Sequence, residues 1–326
     1  MRCLAAIVGL AAVLSAQVPQ FVPALLPGLP YPLATDVVAG DIDNDGDLDL
    51  FVLAAFGGVL LRNDGGSFTN ITASLPPLAA NQRTAAFVHA DADGRLDLLL
   101  TWSGQVRLFL NQPGGQWLEA SGNLPTGLPT VQGASAADVD GDGDQDLVCA
   151  GHVLLGGQNQ LLTNNGSGVF TQSTPFPSVL GATQTYLADI DHDGDLDVFF
   201  ANGTFALFRN DGAGAFTDVT ATALPANLGT VVALALADID GDGDVDAFVS
   251  SSNFGDQILA NDGTGVFTVR LGALPPSLGS TQTTALADVD QDGFPDLCRG
   301  TANYGTPTDR KSTRLNSSHS SVSRMP

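Results

Sequence analysis

Apolar residues along this chain come in short runs, and each run is cut off by Gly, Asn, Asp or Pro before a helical period can develop. Leu48 to Leu53, Leu96 to Leu100 and Val198 to Phe200 are near-continuous apolar stretches. Runs this short, flanked by turn residues, predict short β-strands. A shorter run stands ahead of them in each neighbourhood, as in Ala233 to Ala237 and Thr284 to Ala287. A third run ends in Asn-Asp-Gly, as in Leu61 to Gly65, Phe208 to Gly212 and Leu259 to Gly263. That tripeptide between apolar residues is a hairpin signal, because Asn, Asp and Gly tolerate the positive φ of a tight turn. A fourth run opens on an aromatic residue, Phe68, Trp117, Phe170, Phe216 or Phe267, and leads to a proline-bearing link such as Leu274-Pro275-Pro276.

The four runs recur together. Nine-residue acidic segments begin at Asp41, His89, Asp138, Asp189, Asp238 and Asp288, and each carries Gly at its sixth position: Gly46, Gly94, Gly143, Gly194, Gly243 and Gly293. Successive glycines are 48, 49, 51, 49 and 50 residues apart. Four short strands in a unit of this length predict one propeller blade, so the expected fold is all-β, a β-propeller of four-stranded blades with six acidic loops present and seven blades in the complete protein. Helical repeats are excluded by the absence of a 3.6-residue period, and β-helices have shorter coils. A kelch propeller shares the repeat length, but here the recurrent element is aspartate rather than paired glycine.

Composition sharpens this reading. The formal net charge is -23, yet 34 of the 35 acidic residues are Asp, and 27 of those lie in the six loops. Solvation alone does not distinguish Asp from Glu, so near-exclusive use of the shorter acid implies a geometric demand. A chain this acidic carries no electrostatic footprint for nucleic acid. Carboxylates at alternating positions of a tight loop converge and repel unless a cation lies between them. Oxygen-only donors without His or Cys select calcium over zinc. The expected ligands are Asp41, Asp43, Asp45 and Asp49 in the first loop and Asp91, Asp93 and Asp97 in the second. Asp138, Asp140, Asp142 and Asp146 follow in the third, and Asp189, Asp191, Asp193 and Asp197 in the fourth. Asp238, Asp240, Asp242 and Asp246 serve the fifth, and Asp288, Asp290, Asp292 and Asp296 the sixth. About five good Ca2+ sites and one weak one are expected. The weak one is the second loop, where His89 replaces the first carboxylate and Arg95 brings a positive charge to position 7. The loop is not an EF-hand: its twelfth position holds Val52 or Cys149 instead of Glu, and no helices flank it.

This loop, followed by Asp-Leu and an apolar strand at about fifty-residue spacing, resembles the FG-GAP and VCBS repeat family, which includes the propellers of integrin alpha subunits and many bacterial secreted proteins. The resemblance covers roughly Phe21 to Thr308. It implies a propeller whose calcium loop joins the first and second strands of each blade. The literal Phe-Gly and Gly-Ala-Pro signatures are mostly missing, so integrin-like ligand recognition does not carry over.

Function then divides into two classes. A secreted ligand-binding or adhesion module, with a protein or glycan partner, is favoured because every repeated polar residue is explained by metal or turn geometry. The alternative is a carbohydrate-active enzyme, a polysaccharide lyase or hydrolase. No Ser-His-Asp arrangement is visible, and His89, His152, His192 and His319 form no spaced cluster. A recurring aromatic between second and third strands, at Phe56, Trp102, Phe205, Phe254 and Tyr304, offers either a stacking surface or packing between blades. At the N-terminus, Leu4 to Leu14 behind Arg2 is too short to span a bilayer but suits a secretory signal over residues 1–16. Cys149 and Cys298 then remain as buried thiols in an exported protein. The propeller is expected over 17–309, cut short in its last blade, with Phe21 to Pro27 supplying a closing fourth strand. Residues 310–326, which hold four of the twelve Lys and Arg, read as a non-native or disordered tail.

Overall fold

The computed structural model describes residues 34–54, 57–78, 82–102, 105–128, 130–151, 158–173, 176, 182–203, 205–270, 274, 281–288, 293–301 and 313–314. The expected signal segment, the Phe21 to Pro27 strand and nearly all of the tail lie outside these residues.

Six antiparallel sheets follow one another. The first contains β1 (Ala34–Gly40), β2 (Asp49–Ala54), β3 (Gly57–Asp64) and β4 (Ser67–Asn70). The second has β5 (Gln82–Val88), β6 (Asp97–Trp102), β7 (Gln105–Gln112) and β8 (Gln116–Glu119), and the third β9 (Val131–Ala137), β10 (Asp146–Gly151), β11 (Gln160–Asn164) and β12 (Phe170–Ser173). The fourth has β13 (Gln184–Ala188), β14 (Asp197–Ala201), β15 (Ala206–Asn210) and β16 (Phe216–Asp218), and the fifth β17 (Val231–Ala237), β18 (Asp246–Ser251), β19 (Gly255–Asn261) and β20 (Phe267–Arg270). The sixth has β21 (Thr281–Ala287), β22 (Asp296–Thr301) and β23 (Thr313–Arg314). Neighbours in each sheet are consecutive in sequence, so every sheet is an up-and-down meander, and the chain is an all-β propeller. Two residues of the expected tail, Thr313 and Arg314, pair with Leu297 and Asp296 as the third strand of the last sheet.

The sheets stack through their first strands: β1 lies against β5, β5 against β9, β9 against β13, and β17 against β21. Side-chain volume limits how closely these inner strands approach. At Gly133 in β9, an added Cβ would sit 2.4 Å from the carbonyl oxygen of Thr183, next to the neighbouring sheet. The fourth strands form the outer edge and are mostly exposed; in Gln116–Glu119 only Trp117 is buried.

The second strands explain the continuous apolar runs. Every residue of β10 is buried, and its side chains alternate between two interfaces. Leu147 and Cys149 join the core shared with the second sheet, while Val148 and Ala150 join the core shared with the fourth. In β14, Val198 and Phe200 face the third sheet, and Phe199 and Ala201 the fifth. The hydrophobic core therefore lies between blades rather than within them. Burying one such Phe is worth about 1.5–3 kcal/mol.

Candidate metal centres

Each acidic loop connects the first strand of a sheet to the second, from Gly40 to Asp49 in the first case. Its shape follows from its own carboxylates. The first-position Asp curls the loop by accepting the backbone N–H of the sixth-position Gly: Asp41 from Gly46, Asp138 from Gly143, Asp189 from Gly194, Asp238 from Gly243 and Asp288 from Gly293, at 2.9–3.1 Å. That glycine adopts φ of 91–97° in these five loops, a conformation costly for any side chain. The fifth-position Asp accepts the N–H two residues on, closing an Asx turn; Asp142 takes that of Asp144 at 2.9 Å.

Ligand oxygens converge as a result. In the third, fourth and fifth loops, Asp138, Asp140 and Asp146, then Asp189, Asp191 and Asp197, then Asp238, Asp240 and Asp246 each offer a carboxylate oxygen within 4.8 Å of the others. In the first loop the triad is Asp41, Asp43 and Asp45. Asp142, Asp193 and Asp242 are thus held by the loop backbone without entering their triads. Burial, reinforced by neighbouring carboxylates, pushes the third-position residues Asp140 and Asp191 above the usual carboxylate range. Most telling are Asp191 Oδ1 and Asp240 Oδ1, which are buried and have no hydrogen-bond partner. An anionic oxygen withdrawn from both water and protein donors fits a site completed by a cation. An all-carboxylate donor set suits a hard divalent ion. Of the sixth loop, Asp288 and Asp296 are described, whereas Asp290 and Asp292 lie outside the described residues.

The second loop gathers no triad among the described residues. His89 turns its Nδ1 to the Arg95 carbonyl at 3.1 Å, and the Arg95 guanidinium pairs with Asp93 and donates through Nε to the carbonyl of Asn111 at 2.8 Å. The cationic head thus occupies ligand carboxylate in this loop, in keeping with the weak site expected there.

The ninth-position aspartates Asp49, Asp97, Asp146, Asp197 and Asp246 are 0% exposed. Each accepts two backbone N–H groups, one per oxygen. Oδ2 takes the N–H of the loop's second residue, Ile42, Ala90, Val139, Ile190 or Ile239, at 2.8–3.2 Å. Oδ1 takes that of the last Asn of the third strand, Asn63, Asn111, Asn164, Asn210 or Asn261, at 2.7–2.9 Å. A carboxylate oxygen has a second lone pair, so a metal ion and an amide can share it. Burial outweighs these hydrogen bonds and pushes Asp97 and Asp146 to about 6 and Asp197 to about 7. Between about pH 4, where the unfolded carboxyls ionise, and pH 6–7, the folded metal-free chain holds more protons than the unfolded one, so its stability falls as pH rises. With chelator present, the melting midpoint is expected to be higher at pH 5 than at pH 8; a higher midpoint at pH 8 would refute this ordering.

The hairpin asparagines differ from expectation. None has positive φ; that conformation falls to the glycines beyond them, as at Gly65 and Gly66. Instead the side chains of Asn111, Asn164, Asn210 and Asn261 are buried, and each Nδ2 reaches the preceding sheet, donating to the carbonyl of Ile42, Ala90, Val139 or Ile190 at 2.7–2.9 Å. Sequence reading missed this role; in the structure every such Asn pairs in register with the aromatic that opens the fourth strand, as Asn164 does with Phe170.

At the opposite ends of the strands, the recurring aromatics do not share one role. Phe205 is buried and stacks on Phe199 at 5.8 Å, whereas Phe254 is 55% exposed. A groove of about 650 Å³ is lined by Phe205, Leu224, Pro225, Leu228 and Gly229, and the Phe254 ring lies next to Gly229 at its side. Phe56 and Tyr304, and the Trp102 side chain, lie outside the described residues. Cys149 is buried with its thiol pushed up to about 12, and Cys298 is half-buried; both are free.

Comparison with known proteins matches the FG-GAP-like repeat at residues 41–100, 90–149, 138–200, 189–249 and 238–298. No curated protein matches the chain. Among solved structures, a lectin of Agrocybe aegerita described as recognising non-reducing terminal N-acetylglucosamine aligns at 18% identity and TM-score 0.57, over 82% of this chain and 75% of the lectin. The Photorhabdus luminescens Tc holotoxin pore aligns at 21% identity and TM-score 0.51, over 82% of this chain and 13% of its own. An ancestral GH74 enzyme aligns at 9% identity and TM-score 0.52, over 83% and 35%.

Proposed function

Since the chain belongs to the FG-GAP-like repeat family, we propose that it is a secreted, calcium-loaded propeller that binds a glycan or protein ligand. The carrying observation is the set of four aspartate triads, two of which hold a buried oxygen with no donor. Loops without a bidentate Glu at position 12 suit the weak affinities of extracellular calcium modules, about 10⁻⁴–10⁻³ M. Among the described residues no helix is long and apolar enough to cross a membrane. The groove beside Phe254 supports ligand binding on the face opposite the loops, because an exposed ring flanking an apolar concavity can stack on a sugar or a side chain.

A glycan and protein array, probed with calcium and then with chelator, tests this reading. Binding that requires calcium and falls at least about tenfold in Phe254→Ala is the expected result. Turnover of an arrayed glycan would instead favour the lyase or hydrolase reading, and silence on both arrays would overturn ligand binding as proposed.

A further inference from the structure

The asparagine contacts link up into one path. The carbonyl of Ile42 accepts Asn111 Nδ2, and the backbone N–H of Asn111 donates to Asp97, whose other oxygen accepts the N–H of Ala90. The Ala90 carbonyl accepts Asn164 Nδ2, Asn164 donates to Asp146, and Asp146 accepts Val139. The same three steps run from Val139 through Asn210 and Asp197 to Ile190, and from Ile190 through Asn261 and Asp246 to Ile239. This hydrogen-bonded belt crosses five loops.

The second residue of each loop sits between the first and third ligands. In the first four loops its N–H is held by the ninth-position Asp of its own blade and its carbonyl by the Asn of the next. Turning the peptide that carries this carbonyl would move the third-position carboxylate relative to the first, so the spacing of ligands in one loop depends on a side chain roughly seventy residues further on. We infer that Asn111, Asn210 and Asn261 are positioning residues for the metal site of the preceding blade, so that each site is assembled by two blades and neighbouring sites are coupled. This rests on the calcium reading above. Partners that orient metal ligands typically alter affinity by about 10–100-fold when removed. The backbone donor to Asp197 survives in Asn210→Ala, and the fourth loop loses only the longer 3.3 Å bond from Asn210 Nδ2 to the Leu196 carbonyl, while the third loses its 2.7 Å carbonyl clamp.

Asn164 supplies an internal control, because it clamps the second loop, where no triad forms. The experiment compares wild type, Asn210→Ala and Asn164→Ala for calcium per chain by native mass spectrometry, and for calcium-dependent protection in hydrogen exchange of peptides over residues 138–146 and 189–197. Asn210→Ala should weaken calcium binding at 138–146 by about 10–100-fold and leave 189–197 protected. Asn164→Ala should lose no calcium. Equal losses in both variants, or loss at 189–197 instead, would overturn the inference. Calcium uptake by wild type with an unchanged Asn210→Ala would also overturn it, whereas no uptake by wild type would fell the calcium reading itself. Asn111→Ala makes the same test on the first loop should Asn210→Ala fail to fold.

Discussion

Chelating calcium should lower the thermal midpoint of this protein by at least about 10 °C. A site held at tenfold over its dissociation constant contributes about 1.4 kcal/mol, so four triads together contribute on the order of 5–6 kcal/mol. Each kcal/mol moves the midpoint of a domain this large by about 2 °C. The physical origin is the packing of acid into the loops: without a cation, the carboxylates of Asp138, Asp140 and Asp146 lie within 4.8 Å of one another. Paired calorimetric scans, with millimolar calcium and with excess chelator, measure the difference. Coincident scans would show that the loops are ordinary acidic turns.

Asp97→Ala should destabilise the chain strongly without releasing any calcium, whereas Asp240→Ala should release about one ion per chain with little effect on the metal-free protein. In the first case, the buried N–H groups of Ala90 and Asn111 lose their acceptor. A buried unsatisfied donor costs about 1–3 kcal/mol, so two cost about 2–6 kcal/mol, or a midpoint drop of roughly 4–12 °C. In the second, the lost carboxylate makes a partly exposed ion pair with Arg270 at 2.7 Å, worth about 1 kcal/mol at most. Metal analysis beside melts in chelator separates the two; calcium loss from Asp97→Ala would mean that the second loop is a working site. The contrast also explains a departure in the sequence. The second loop has His89 in place of its first ligand, yet keeps Asp97, because that residue clamps backbone whether or not a metal is present.

Blade count among the acidic units, strand order and the position of the loops could be read from the sequence, because period, Gly placement and Asp alternation are local signals. Asp41, Asp43, Asp138, Asp189 and Asp238 could be found the same way. What could not be read is contact between blades. Position 4 of the fourth loop, His192, accommodates φ of 62° and reaches Asp244 in the fifth loop at 2.7 Å, a meeting of residues 52 apart that no local pattern encodes. The asparagines failed for a related reason. A turn residue and a buried clamp have the same neighbours in sequence, and only the adjoining blade distinguishes them. Equivalent positions also diverged: the repeat gave Phe205 and Phe254 one role, but one is core and the other faces solvent.

The alternation of β10 and β14 between two cores bears on how such a chain can be cut or extended. A blade excised alone would carry two open half-cores and little to hold it together, so the cooperative unit is the seam between neighbours rather than the blade. Removing a whole blade and rejoining the chain exchanges two seams for one, which complementary neighbours can tolerate. Deleting one residue from a second strand is harsher, since every side chain beyond the deletion would then point into the wrong seam. Length variation among chains of this design should therefore accumulate in whole repeats and in the links between second and third strands, which here run from two residues (55–56) to eight (152–159), and spare the second strand.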